Sequence, residues 1–115
     1  MVGFCGACIE YRSYLGEDEN YEAMYAKYTL DGAAVREVFA VDEEDVDKSS
    51  VTVYYFPERC RCTDSAGNYV SLPRPKGGDL CVLRPGCEDE RVMRVAEVGY
   101  FTGSSDMTHI RLKLK

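Results

Sequence analysis

A chain of 115 residues is short for two folded units, since each further domain needs about 150 residues, so residues 1–115 are read as a single domain. With 45% apolar and 11% aromatic residues it carries enough burial potential to exclude a disordered chain. Twenty Asp and Glu against fourteen Lys and Arg leave a net charge of −6, which argues against nucleic acid or an anionic membrane as the main partner.

The charge is unevenly spread. Residues 1–59 hold five basic and thirteen acidic side chains, residues 60–115 nine and seven, so the first half is acidic and the second slightly basic. No apolar run approaches the roughly 20 residues of a membrane span. Met1 to Phe4 supply neither a basic n-region nor a long apolar h-region, which leaves open a cytoplasmic protein or one whose signal peptide was removed.

Period two dominates from the start. Ile9, Tyr11, Ser13 and Leu15 alternate with Glu10, Arg12 and Tyr14, and after the turn-like 16–20 segment the run from Tyr21 to Leu30 is rich in aromatics. Both are predicted strands. Asp31-Gly32 predicts a hairpin into Ala33 to Val41, because glycine takes positive φ without steric cost, with a short helix over 33–41 as the alternative. Asp42, Glu43, Glu44, Asp45 and Asp47, followed by Lys48, Ser49 and Ser50, predict a solvated connection.

Ser50 to Phe56 is the strongest β segment and is predicted to be a central strand closed by Pro57, which has no N–H for the ladder. The Gly- and Pro-rich stretch Thr63 to Asp79 reads as loop around a short strand at Tyr69 to Leu72. Leu80 to Arg84 is a short strand closed by Pro85-Gly86. Arg91 to Thr102 and Thr108 to Lys115 form a last hairpin, in which Thr108, Ile110, Leu112 and Leu114 take the buried face and His109, Arg111, Lys113 and Lys115 the basic one. Six to eight short strands at such spacing predict an all-β fold, an antiparallel small barrel or sandwich with at most one short helix.

The six cysteines fall in three close pairs: Cys5 with Cys8, Cys60 with Cys62, and Cys81 with Cys87. A redox C-x-x-C needs a helix after it, and a strand follows Cys8 instead. An even count in a turn-rich β chain favours disulfides over zinc and, with them, a secreted or extracellular setting. A bridge from the first pair to the second would close a loop of about fifty residues and contribute on the order of 4 kcal/mol. The zinc alternative places four thiolates, Cys5, Cys8, Cys60 and Cys62, around one ion in a cytoplasmic protein, although the single residue between Cys60 and Cys62 is short for a knuckle.

The order of the N-terminal cysteine pair, the strand Tyr21 to Tyr28, Arg36-Glu37-Val38-Phe39, Val51-Thr52-Val53-Tyr54-Tyr55 leading to Cys60, and Leu72 through Gly77-Gly78 to Leu80-Cys81-Val82-Leu83 resembles netrin-like modules over residues 5 to about 101. The resemblance implies an OB-type barrel whose N-terminal cysteines are bridged to later strands. The chain departs from the tissue inhibitors of metalloproteinases in having C-x-x-C where they have C-x-C, in residues preceding Cys5, and in a strand-like Thr108 to Lys115 where they have a helix. Their zinc-ligating activity is therefore not carried over.

No motif for nucleotide, calcium or glycan attachment occurs, and His109, the single histidine, has no Ser or Cys at a recognisable partner spacing. Nine tyrosines and no tryptophan point instead to a binding surface, with Tyr54, Tyr55 and Phe56 on the central strand as its candidates. If that strand is regular, Tyr54 and Tyr55 face opposite sides. The sequence thus reads as a secreted or surface-exposed protein-binding module with no catalytic site or cofactor of its own, against the alternative of a zinc-stabilised subunit or adaptor.

Overall fold

The computed structural model describes residues 7–41, 47–103 and 107–115. Within them the chain forms β1 (Ala7–Glu17), β2 (Ala23–Val41), β3 (Asp47–Tyr55), β4 (Arg61–Asp64), β5 (Leu80–Leu83), β6 (Arg91–Phe101) and β7 (His109–Leu114). Every pairing is antiparallel: β1 lies between β2 and β5, β6 joins β5 to β7, and β3 joins β7 to β2. Six strands thereby close into a barrel, and β4 adds itself to the outer edge of β2. The antiparallel small barrel is the predicted class. It closes with six strands, one more than the five of an OB-type barrel.

Two long strands make the closure by changing partners part-way. Asp31-Gly32 is not a hairpin but the corner of β2: up to Ala33 the strand pairs with β1, and from Ala34 with β3. Gly32 has φ +91, a conformation that costs glycine little, and it packs against the Cys60 backbone at this bend. The sequence signal is real, but its effect is to turn the strand from one barrel wall to the next. β6 does the same at a bulge between Val95 and Glu97, pairing first with β5 and then with β7.

Residues 33–41 are strand, so the helical alternative is set aside. The segment 69–72 contributes a single bridge, Tyr69 with Thr63, while the short strand of that region is β4, hidden in sequence by its charged ends Arg61 and Asp64. Lys48, Ser49 and Ser50 extend β3. Asp42 to Asp45 of the acidic connection lie outside the described residues, as does Cys5.

Alternation fills the barrel. Ile9 and Tyr11 from β1, Leu30 and Ala33 from β2, Val51, Val53 and Tyr55 from β3, and Leu112 and Leu114 from β7 point inward and are buried. Asp79 is the charged exception to a mostly apolar interior, beside the buried Ser13: wholly buried, it accepts hydrogen bonds from the Tyr11 hydroxyl and from the N–H groups of Tyr14 and Lys76. The Lys76 ammonium stands 3.3 Å from its other oxygen, so the charge is both paired and hydrogen-bonded. Its own carbonyl accepts from Val95 at the β6 bulge, at 2.7 Å. One loop residue thus ties β1 to the bend in β6.

Candidate protein-binding face

The outward residues of β3, β7 and the second half of β6 form a cluster of aromatic rings and cations. Register sets it: Tyr54 lies opposite Arg111, Arg111 opposite Gly99, and Phe101 opposite His109. Cross-strand neighbours on one face sit about 5 Å apart, close enough for rings to touch. His109 stacks on Phe101 with centroids 5.1 Å apart and planes 11° from parallel, and its ring also meets Phe56 at 4.9 Å.

Glycine 99 makes this stacking possible. A Cβ there would stand 2.8 Å from Phe101 Cε2, so the ring lies over the space that a side chain would fill. The Arg111 guanidinium covers the same ring at 4.0 Å from its centroid and reaches Tyr54 at 5.5 Å. Arg59 adds a second cation, 5.1 Å from the Phe56 centroid.

His109 is fixed within the cluster. Its Nδ1 is 2.8 Å from the Met107 carbonyl, and its Nε2 accepts from Arg111 Nε at 3.1 Å. With both nitrogens engaged, the ring is held as a plate between aromatics. Phe101 is 40% and Met107 53% exposed, which leaves apolar surface beside Arg59, Arg111 and Lys113.

The structure divides the three tyrosine-strand candidates. Tyr54 and Phe56 belong to the outer cluster, whereas Tyr55 turns inward and is 5% exposed. Tyr55 is therefore corrected from a surface contact to a core residue. Burial is the larger cause, and the neighbouring Cys62 and Cys60 the smaller, that push its phenol up to about 12. Arg111 lies on the basic face expected of the last strand, whereas Phe101, Arg59 and Met107 are not among the sequence candidates, although counting back across the predicted last hairpin sets Phe101 beside His109.

The cysteine expectations are also corrected. Cys8, Cys60, Cys62, Cys81 and Cys87 are all free thiols. The reason is facial. Cys8 sits opposite Asp31, which sits opposite Arg61, so Cys8 shares the outer side with Arg61 while Cys60 and Cys62 point into the core. Cys81 is wholly buried on β5 between Tyr11 and Met93, and Cys87 is exposed in the following turn. The bridges assigned to these residues are not formed, and the argument from them to an oxidising compartment loses its support.

The same geometry separates Cys8 from Cys60 and Cys62 as ligands of a shared zinc. Among the described residues no group of three or more His, Cys, Asp or Glu is placed to hold a metal ion. Burial and, in second place, the Asp79 charge raise the Cys81 thiol to about 12, and burial also raises Cys60 and Cys62, so these sulfurs are core atoms more than nucleophiles.

Compared with known protein families, with characterised proteins and with solved structures, the chain matches none. The netrin-like resemblance rests on its sequence pattern alone.

Proposed function

We propose that this barrel is a protein-binding module that captures an acidic segment of another protein on the outer face of β3, β6 and β7, without a reaction of its own. The observation that carries the reading is the guanidinium of Arg111 stacked at 4.0 Å on a ring that is itself 40% exposed. Exposed aromatics beside arginine are what interface centres are enriched in, because they offer rigid apolar area and directed charge together. Arg111 and Lys113 give the face a positive sign, Glu97 standing 3.5 Å from Lys113, on a chain whose net charge is −6. A carboxylate-bearing partner follows from that sign. The sheet supplies the rigidity, since each of these residues except Arg59 and Met107 lies in or next to a paired strand.

The test is fluorescence anisotropy with a labelled acidic peptide containing one aromatic residue, a neutral peptide of the same length, and a single-stranded oligonucleotide. The acidic peptide binds, and its affinity falls with added salt. Gly99→Ala displaces Phe101 without touching a core contact and weakens binding about tenfold or more, as does Arg111→Ala. Failure of the acidic peptide to bind, or tighter binding of the oligonucleotide, overturns the reading.

A further inference from the structure

A second surface lies at the far end of the β1–β2 hairpin. β5 covers β1 only from Ile9 to Arg12, and β4 covers β2 only from Tyr28 to Asp31. Beyond those points the two strands pair only with each other, with a bulge between Tyr14 and Gly16; Lys76 and Asp79 still hold Ser13 and Tyr14 to the barrel, so the two-stranded arm proper is residues 15–24. Isolated two-stranded ribbons are marginal in water. Tyr14 and Tyr25 brace this one by an edge-to-face contact at 5.6 Å, yet Leu15, Tyr21 and Met24 stay 62%, 83% and 42% exposed.

The tip is built in a costly way. Tyr21 has φ 62, a left-handed conformation that suits glycine or asparagine and strains a bulky aromatic. The Asp18 carboxylate holds the turn by accepting from the N–H groups of Asn20 and Glu22, and Tyr21 N–H donates to the Asp18 carbonyl. The strained ring is then turned out to solvent, so it returns nothing to the core. Glu17, Glu19 and Glu22 flank it in sequence, and no Lys or Arg occurs between Ser13 and Ala26.

We infer that this arm docks, Tyr21 first, on the basic aromatic face of a second copy of the chain. The inference rests on the reading that the face takes an acidic segment, and it names that segment. The arm matches the face in both respects: carboxylates beside an exposed ring and a methionine meet Arg111 and Lys113 around Phe101 and Met107. The arm extends β1 and β2, while the face lies on β3, β7 and the second half of β6, so the two belong to different walls of the barrel and meet between copies. Arm and face are different patches, so the contact either closes reciprocally into a two-fold dimer or propagates head to tail into rings or open chains.

Sedimentation velocity on the full chain over a range of concentration and salt tests this. The wild-type protein forms species that grow with concentration and dissociate as salt rises. Tyr21→Gly removes the docking ring and relieves the backbone strain, so it sediments as a monomer while its thermal midpoint is unchanged or higher. Arg111→Glu is likewise monomeric. An equimolar mixture of the two variants forms a one-to-one dimer and nothing larger, because one retains a face and the other an arm. A wild-type protein that is monomeric throughout overturns the inference, and so does a symmetric dimer that the mixture fails to restore. If the wild type is monomeric yet still binds the acidic peptide, the self-docking falls and the binding face stands; if it binds no peptide, the reading of the face falls as well.

Discussion

Tyr11 and Asp79, 68 residues apart in the chain, meet inside the barrel through a hydrogen bond of 2.5 Å from the phenol to Oδ2. Neither has measurable exposure. The bond fastens the middle of β1 to the loop that precedes β5, and the Asp79 backbone continues the tie to β6. Burial first, and the Asp79 partner second, raise the Tyr11 pKa above its ordinary value of 10.0.

Tyr11→Phe removes one donor from a buried carboxylate and is expected to cost about 1–3 kcal/mol of stability. Asp79→Ala is worse, because it strands the Tyr11 hydroxyl and the Tyr14 and Lys76 amides together. Urea unfolding checks both. Equal stability of Tyr11→Phe and wild type would show that the bond is not needed.

Gly32→Ala probes the corner of β2. The added Cβ would find its nearest atom, Cys60 Cα, at 3.7 Å, an ordinary contact, so the cost comes from φ +91 and not from a clash. A loss of about 1–2 kcal/mol of stability, read as a lower unfolding midpoint, is expected, with the barrel otherwise intact by circular dichroism.

Stability declines in alkali. Cys81 titrates near 9.0 when unfolded and at about 12 when folded, and Tyr55 moves from 10.0 to about 12. Between these values the folded chain holds protons that the unfolded chain has lost, so stability is full below pH 9 and falls as pH rises toward 12. Cys81 alone gives a slope of about 1.4 kcal/mol per pH unit in that window. Denaturant midpoints at pH 8, 9.5 and 11 measure it, and Cys81→Val flattens the curve.

Thiol labelling ranks the cysteines. Among the described cysteines of the native protein Cys87, exposed in its turn, reacts first with iodoacetamide, followed by Cys8, whose thiol is raised by partial burial and by Asp31. Cys60, Cys62 and Cys81 label only after unfolding. Peptide mass mapping reads the order, and native labelling of Cys81 at the rate of Cys87 would contradict its burial.

The parts of the fold whose physics is local are legible from the residues alone. Alternation at period two places Ile9 and Tyr11 inside, sets Ile110 and Leu112 against His109 and Arg111, and requires Tyr54 and Tyr55 to face opposite ways, because successive side chains on any strand point to opposite sides. The all-β class, the last hairpin and the central position of β3 follow from such runs and their turn residues. Register between distant strands settles the rest. It made Asp31-Gly32 a corner instead of a turn, put Cys8 on the opposite side from Cys60 and Cys62, sent Tyr55 and not Tyr54 inward, and laid Phe101 over Gly99 beneath Arg111. Close cysteine pairs in sequence carry no information about which side of a sheet each sulfur occupies. That is fixed when β2 and β6 change partners to close the barrel, a step paid in non-local contacts that no window of neighbouring residues contains.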